Sequence, residues 1–126
     1  MKKLLLIAAL AIASVSFAQA NSKDEVVNAL KSGDVASFNN YFDNTVDVKL
    51  PDKAEAKNVE KGQAGNIVKD FYKQNGIKGF DLTSERAMGG TMYMAGKLTG
   101  GAKEYNLTVM LKDKDSKLSV ITVRIN

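Results

Sequence analysis

Alternating apolar and polar positions in the last third of the chain predict four β-strands over residues 80–126. The strand segments are rich in β-branched and aromatic residues, and tight turns at residues 89–90, 100–101 and 113–116 separate them. Short connections that contain glycine or aspartate are typical of β-hairpins. The pattern therefore predicts an antiparallel meander with one apolar face.

The lengths of these turns fix which residues face each other. A two-residue turn at residues 100–101 places Met94 opposite Leu107 on the apolar face. The same counting through the last hairpin places Arg124 opposite Tyr105 on that face. A slip of one residue would exchange the two faces, so the alternation supports this register.

The first turn of the meander requires a different length. A three-residue loop at residues 88–90 brings Leu82 beside Gly96 and Phe80 beside Leu98, which keeps apolar residues on one face. Glycine supplies the positive φ that a bulged turn needs, and a bulge bends its strand. We therefore expect a strongly curved sheet.

The residues before the meander predict three helices and one strand. A capping box begins a short helix over residues 22–33, and a second helix follows over residues 34–42. Residues 45–50 alternate as a strand, and the polar stretch 52–58 is interpreted as a loop. Helical periodicity over residues 60–75 predicts the main helix.

Residues 1–20 have the layout of a secretory signal peptide. Lys2 and Lys3 precede an apolar run of about ten residues, which is shorter than the roughly 20 residues of a membrane span. We therefore expect export to the periplasm or the extracellular space, one mature domain over residues 21–126, and no membrane span after cleavage.

Composition narrows the possible chemistry. The chain has no histidine and no cysteine, which excludes a catalytic triad, a thiolate nucleophile, disulfides and histidine or cysteine metal sites. Two of the 18 basic residues lie in the signal peptide, so the mature chain has 16 basic and 14 acidic residues. The lysines are dispersed, which is not the pattern of a nucleic-acid-binding surface. We expect no metal and no cofactor.

Several segments carry a resemblance to a known family. The stretches 25–34, 41–43, 63–64, 68–72 and 124–125 resemble small exported proteins of the domain of unknown function 4783 family of Bacteroidota. The resemblance implies an α+β, nuclear transport factor 2-like (cystatin-like) cone with the order α-α-β-α-β-β-β-β, in which helices pack on a strongly curved, mostly antiparallel sheet. The family has no assigned activity, so function stays open.

The same fold hosts ketosteroid isomerase, in which a carboxylate near the first strand removes a proton inside an apolar pocket. The resemblance places that position at residues 48–50, where this chain has no carboxylate. Asp47 is the nearest acid, and alternation places it on the opposite face of its strand. We therefore assign no catalytic residue.

Two kinds of side chain indicate where a ligand would bind. The chain has only two arginines, Arg86 and Arg124, and the register places both on the apolar face. A guanidinium is favoured where a protein binds an anion or where the side chain stacks on an aromatic ring. Methionines are typical of an adaptable apolar lining, and too few share a face for a thioether copper(I) site. The predicted pocket, between the main helix and the sheet, comprises Arg124, Thr122, Tyr105, Met92, Met94, Gly96, Phe71, Tyr72 and Arg86.

Three interpretations of function follow. The first is an exported, non-enzymatic domain that binds a small apolar or anionic amphipathic ligand in this pocket, and an interior filled by side chains would contradict it. The second is a structural or protein-interaction module with a vestigial pocket, which forms a homodimer through the other sheet face. That face is predicted to carry Tyr93, Ala95, Met110, Ile121, Val123 and Ile125. The third is an isomerase-like or cyclase-like enzyme.

Overall fold

The computed structural model describes residues 23–114 and 117–126. The predicted signal peptide and residues 115–116 of the last predicted turn lie outside the described residues. The elements are α1, helical over residues 23–32, then α2 (Val35–Asn39), β1 (Phe42–Lys49), β2 (Ala56–Glu60), α3 (Lys61–Asn75), β3 (Gly79–Met88), β4 (Thr91–Thr99), β5 (Tyr105–Lys114) and β6 (Lys117–Ile125). No helix in this described part is long and apolar enough to cross a membrane.

Six strands form one sheet in the order β2-β1-β6-β5-β4-β3. β1 runs parallel to β6, and the other neighbouring strands are antiparallel. This architecture confirms the predicted α+β class. We call the buried side of the sheet, which carries Val48, Met94, Val109 and Val123, the inner face, and the opposite side the outer face.

Local sequence signals set the ends of the helices. The Asp34 carboxylate accepts hydrogen bonds from the backbone N–H groups of Ala36 and Ser37, at 3.1 and 3.3 Å, and so caps α2. α1 ends at Gly33, whose φ is +73° and where a Cβ would clash with the carbonyl oxygen of Lys78. Glycine is therefore required where α1 meets the start of β3.

A single hydrophobic cluster joins the helices to the inner face. Val68 of α3, Met94 of β4 and Val109 of β5 have no exposed surface. Full burial of side chains of this size contributes roughly 1.5–3 kcal/mol each relative to exposure. These residues belong to the packed core that holds the helices to the sheet.

β2 was not predicted from the sequence. Residues 52–58 were interpreted as a loop, yet the chain pairs with β1 from Ala56 onward, with Val48 opposite Ala56 and Val46 opposite Val59. The φ of +54° at Asn58 breaks the extended geometry within the strand and accompanies a shift in its register. A short, polar edge strand with such a break lacks the regular alternation that sequence analysis depends on.

The predicted register between β4 and β5 is wrong by two residues. Met94 pairs with Val109 instead of Leu107, because the connection spans residues 100–104 instead of two residues. The longer loop packs on the end of α3, where a Cβ at Gly101 would clash with the carbonyl oxygen of Asn75. A shift of two residues keeps every side chain on its face, so the apolar face itself was predicted correctly.

A bulge in β6 exchanges the two faces of its last residues. Leu111 pairs with Val120, but Met110 pairs with Thr122, so Ile121 is the extra residue. Val123 therefore lies on the inner face without exposed surface, and so does Ile125. The prediction that these two residues belong to the second face is wrong.

The predicted bulge in the first hairpin exists, but it lies within β3. Leu82 pairs with Gly96 as expected, and the pairing then shifts at Thr83, so that the turn itself is the two residues 89–90. Past the shift, Arg86 pairs with Tyr93. Arg86 thus lies on the outer face and not on the apolar face, where the predicted register placed it.

Candidate functional site

Four residues of the predicted pocket are part of the closed core. Met94 is fully buried, and Phe71 and Tyr72 are 8% and 5% exposed. The cleft expected beside Gly96 is occupied by the ring of Phe80, which would lie 2.6 Å from a Cβ at that glycine. The described interior at these positions is filled by side chains.

Tyr105 closes the end of the core near α3. Its ring meets that of Phe71 edge to face, with centroids 5.0 Å apart. Its hydroxyl donates a hydrogen bond to Oδ1 of Asn75 at 3.0 Å, and Nδ2 of Asn75 donates to the carbonyl oxygen of Phe71 at 2.9 Å. These contacts fix Tyr105 to the helix and satisfy its hydroxyl. Met92 lies half-buried toward the opposite end of β4.

The hydroxyl of Tyr72 is buried and has no hydrogen-bond partner among the described residues. Burial raises the pKa of this phenol far above its ordinary value of 10.0. The side chain therefore stays protonated and neutral at physiological pH. Tyr72 is a core aromatic residue, and it does not line an open pocket, where the sequence pattern placed it.

Arg124 is far from its expected place beside Tyr105. It pairs with Thr108 across β5 and β6, on the outer face. Its Nη2 lies 2.9 Å from Oε2 of Glu55, which belongs to the connection between β1 and β2. The ion pair is partly exposed, and it ties that connection to the sheet. Arg124 is therefore an anchoring residue and not part of an internal anion site.

Five residues form one row across the outer face. Asp47 of β1 pairs with Thr122 of β6, Thr122 pairs with Met110 of β5, Met110 pairs with Tyr93 of β4, and Tyr93 pairs with Arg86 of β3. We call these residues the outer row. Its middle three members are half-buried, so the row has an acid at one end, a cation at the other and, at its centre, the apolar Met110 between the amphipathic side chains of Thr122 and Tyr93.

Arg86 lies in a groove of about 560 Å³ at the β3 end of the outer row. The groove is lined by Ser84, Glu85, Arg86, Met88, Tyr93 and Ala95. Met88 is 55% exposed, unusually high for a large apolar side chain. In the part of the chain that the structure describes, the Arg86 guanidinium has no hydrogen-bond or ion-pair partner. A cation without a partner beside apolar surface is available to an external anion.

Asp47 has a structural partner at the other end. Its Oδ1 accepts a hydrogen bond from the backbone N–H of Asn58 at 2.8 Å, which supports the irregular backbone of β2. One carboxylate oxygen is thereby engaged. No group of three or more acidic residues suited to a metal ion occurs among residues 23–114 and 117–126.

A second groove, which the sequence analysis missed, lies between α3 and the connection from β1 to β2. Two cavities of about 300 and 200 Å³ share Leu50, Lys53 and Ile67. We call them together the α3 groove. Of the predicted pocket residues, Phe71 lines this groove. Its other lining residues were not predicted, because the polar stretch 52–58 was interpreted as a loop.

Comparisons with known proteins agree with this fold. A model of the family described as domain of unknown function (DUF4783) matches residues 23–126. No curated protein matches the chain. A DUF4783 protein from Bacteroides ovatus is 19% identical, with a TM-score of 0.72 over 80% of this chain and 90% of that one. The corresponding values for a DUF4783 protein from Bacteroides fragilis are 20%, 0.71, 80% and 93%.

A more distant structure has the same architecture. An NTF2-like protein of unknown function from Cytophaga hutchinsonii is 7% identical, with a TM-score of 0.58 over 86% of this chain and 88% of that one. At such identities the likeness concerns the fold alone, and it confirms the predicted nuclear transport factor 2-like class. The family match covers every described residue, and the protein therefore belongs to the DUF4783 family of domains of unknown function.

Proposed function

We propose that this protein is an exported interaction module, without catalytic function, that forms a homodimer through the outer face of its sheet. The observation that carries the proposal is the outer row, with its apolar middle and its opposite charges at the two ends. Protein interfaces combine an apolar centre with a polar rim in the same way. The pattern of residues 1–20 supports the exported location.

The interior gives less support to a ligand-binding function. Met94 and Gly96, which were expected to line a cavity, are buried against other core side chains. Arg86 and Arg124, which were expected to meet an anion there, lie on the outer face. The surface of the sheet is therefore the better candidate for binding.

A second copy of the chain fits the outer row. Met110 is its middle member, and because neighbouring strands are about 4.8 Å apart, Asp47 and Arg86 each lie about 10 Å from it. A two-fold axis along the strand direction above Met110 turns the row end for end. Met110 then meets its counterpart, and Arg86 of each subunit approaches Asp47 of the other.

The flanking residues extend this apolar centre. Ile121 and Thr122 both oppose Met110 because of the bulge, and Ala95 follows Tyr93 on the same face of β4. All are partly exposed. Two such faces would pack as aligned sheets, about 10 Å apart.

Analytical ultracentrifugation tests the proposal. The wild-type protein is expected to sediment as a dimer at micromolar concentration, and Met110→Glu as a monomer, because the two new carboxylates would meet at the axis. Lys69→Glu, an exposed change on α3, is the control and should remain dimeric. A wild-type protein that stays monomeric at high micromolar concentration, or a dimer unaffected by Met110→Glu, would contradict the proposal.

A further inference from the structure

The α3 groove combines an apolar recess with a charged section. The smaller cavity is lined by Val48, Leu50, Ala54, Ala56 and Ile67, with Lys53 as its only charged residue. The larger cavity continues from the shared residues along α3 and adds Pro51, Asp70, Phe71, Gln74 and Asn75. Together the two cavities reach the low end of the size range of small-molecule sites, about 300–1,000 Å³.

Two opposite charges face the larger cavity from different elements. Lys53 belongs to the connection between β1 and β2, and Asp70 belongs to α3. Within the described residues neither side chain has a hydrogen-bond or ion-pair partner. The side-chain amide of Asn75, by contrast, is hydrogen-bonded to Tyr105 and to the carbonyl oxygen of Phe71, so it belongs to the scaffold.

The wall that carries Lys53 is held in place. The ion pair from Glu55 to Arg124 ties it to β6, and the backbone N–H of Lys53 donates to the carbonyl oxygen of Leu50 at 3.3 Å. The ammonium of Lys49 donates to the same carbonyl oxygen at 2.6 Å. Such contacts lower the conformational entropy that is lost on binding, because less of the connection must become ordered when a ligand binds.

We propose that the α3 groove binds a short peptide that has an apolar side chain and free termini. The side chain enters the recess beside Val48 and Ile67, the terminal ammonium meets Asp70, and the terminal carboxylate meets Lys53. An amphiphile with only a carboxylate would bring that group close to the like charge of Asp70. An amphiphile with only an ammonium would bring it close to the like charge of Lys53. A zwitterion with an apolar body satisfies both charges and the recess.

Titration of ¹⁵N-labelled protein with the dipeptide Leu-Leu tests this inference by NMR. Saturable shifts are expected for backbone amides of residues 48–56 and 67–75. Lys53→Gln and Asp70→Asn should each weaken binding about threefold, as expected for exposed charge pairs. Lys69→Gln, at an exposed neighbouring position on α3, is the matched control and should bind like the wild type.

Capped peptides identify which charge each residue meets. N-acetyl-Leu-Leu should bind the wild type and Asp70→Asn equally, and Leu-Leu amide should bind the wild type and Lys53→Gln equally. The proposal is overturned if Leu-Leu causes no saturable shift in these segments, or if the doubly capped peptide binds as tightly as Leu-Leu. Because the outer face is not involved, Met110→Glu should bind the peptide like the wild type, so the two proposals fail or succeed separately.

Discussion

Arg86 and Asp47 stand at opposite ends of one row of paired residues that crosses five strands, with Met110 midway between them. A row with an acid at one end and a cation at the other is complementary to itself when it is turned end for end. In the proposed dimer these charges would set the alignment of the two copies, and the central residues would contribute most of the buried surface area.

Exchanging the two charges tests this alignment. Arg86→Glu should weaken the dimer at least about tenfold, because it places two acids together at each end of the interface. Adding Asp47→Lys to the same chain should restore much of the affinity. The thermal stability of each variant must be measured as well, because Asp47 also accepts a hydrogen bond from the backbone N–H of Asn58 and its loss could destabilise the fold. A double variant that dimerises no better than Arg86→Glu alone would exclude the proposed two-fold axis.

The periodicity of the sequence predicted the strands of the meander and the core members Met94 and Leu107, because a register error of two residues leaves the faces unchanged. An error of one residue exchanges them. The bulges at Thr83 and Ile121 each introduce such an error. Neither residue differs in type from ordinary strand residues, so composition gave no signal for either bulge.

The candidate sites were harder to predict for the same reason. Arg86 and Thr122 reach the outer face only because a bulge precedes each of them in its strand. The outer row is therefore a product of irregular pairing within the β3–β4 and β5–β6 hairpins. The α3 groove depends likewise on the position of a polar connection, which is fixed by the long-range ion pair from Glu55 to Arg124.

Gly33 should be among the most sensitive positions in the fold. Gly33→Ala combines a φ of +73° with a clash against the carbonyl oxygen of Lys78, so we expect a loss of about 2–4 kcal/mol in the free energy of unfolding. Gly90→Ala is the matched control, since no atom lies within 4 Å of its Cβ, and it should change stability by no more than about 0.5 kcal/mol. Equal effects of the two changes in urea titration would contradict this account.

The ion pair between Arg124 and Glu55 should contribute more to the local order of the connection between β1 and β2 than to the global free energy of unfolding. Arg124→Met should cost no more than about 1 kcal/mol, because 50% of the arginine side chain is exposed. Hydrogen exchange of residues 53–56 should become faster. Glu55→Gln should have little further effect in the Arg124→Met background. A loss of several kcal/mol would mean that the pair is buried, against the exposure seen here.

Tyr72 and Tyr105 provide a matched pair of hydroxyl deletions. The Tyr72 hydroxyl is buried without a partner among the described residues, so Tyr72→Phe should leave the free energy of unfolding unchanged or raise it by up to about 1 kcal/mol. Tyr105→Phe should lower it by about 1 kcal/mol, because the change removes the hydrogen bond to Asn75. Urea titrations of both variants compare these values directly.

Tyr72 should also make the stability of the protein depend on alkaline pH. Burial raises the pKa of Tyr72 above the value of about 10 that it has in the unfolded chain. The folded protein then binds the phenolic proton more tightly than the unfolded one, so its stability is complete below pH 10 and declines as the pH rises further. Tyr72→Phe should remove this part of the alkaline decline, and Tyr105→Phe should retain it. An unchanged decline in Tyr72→Phe would show that other groups cause it.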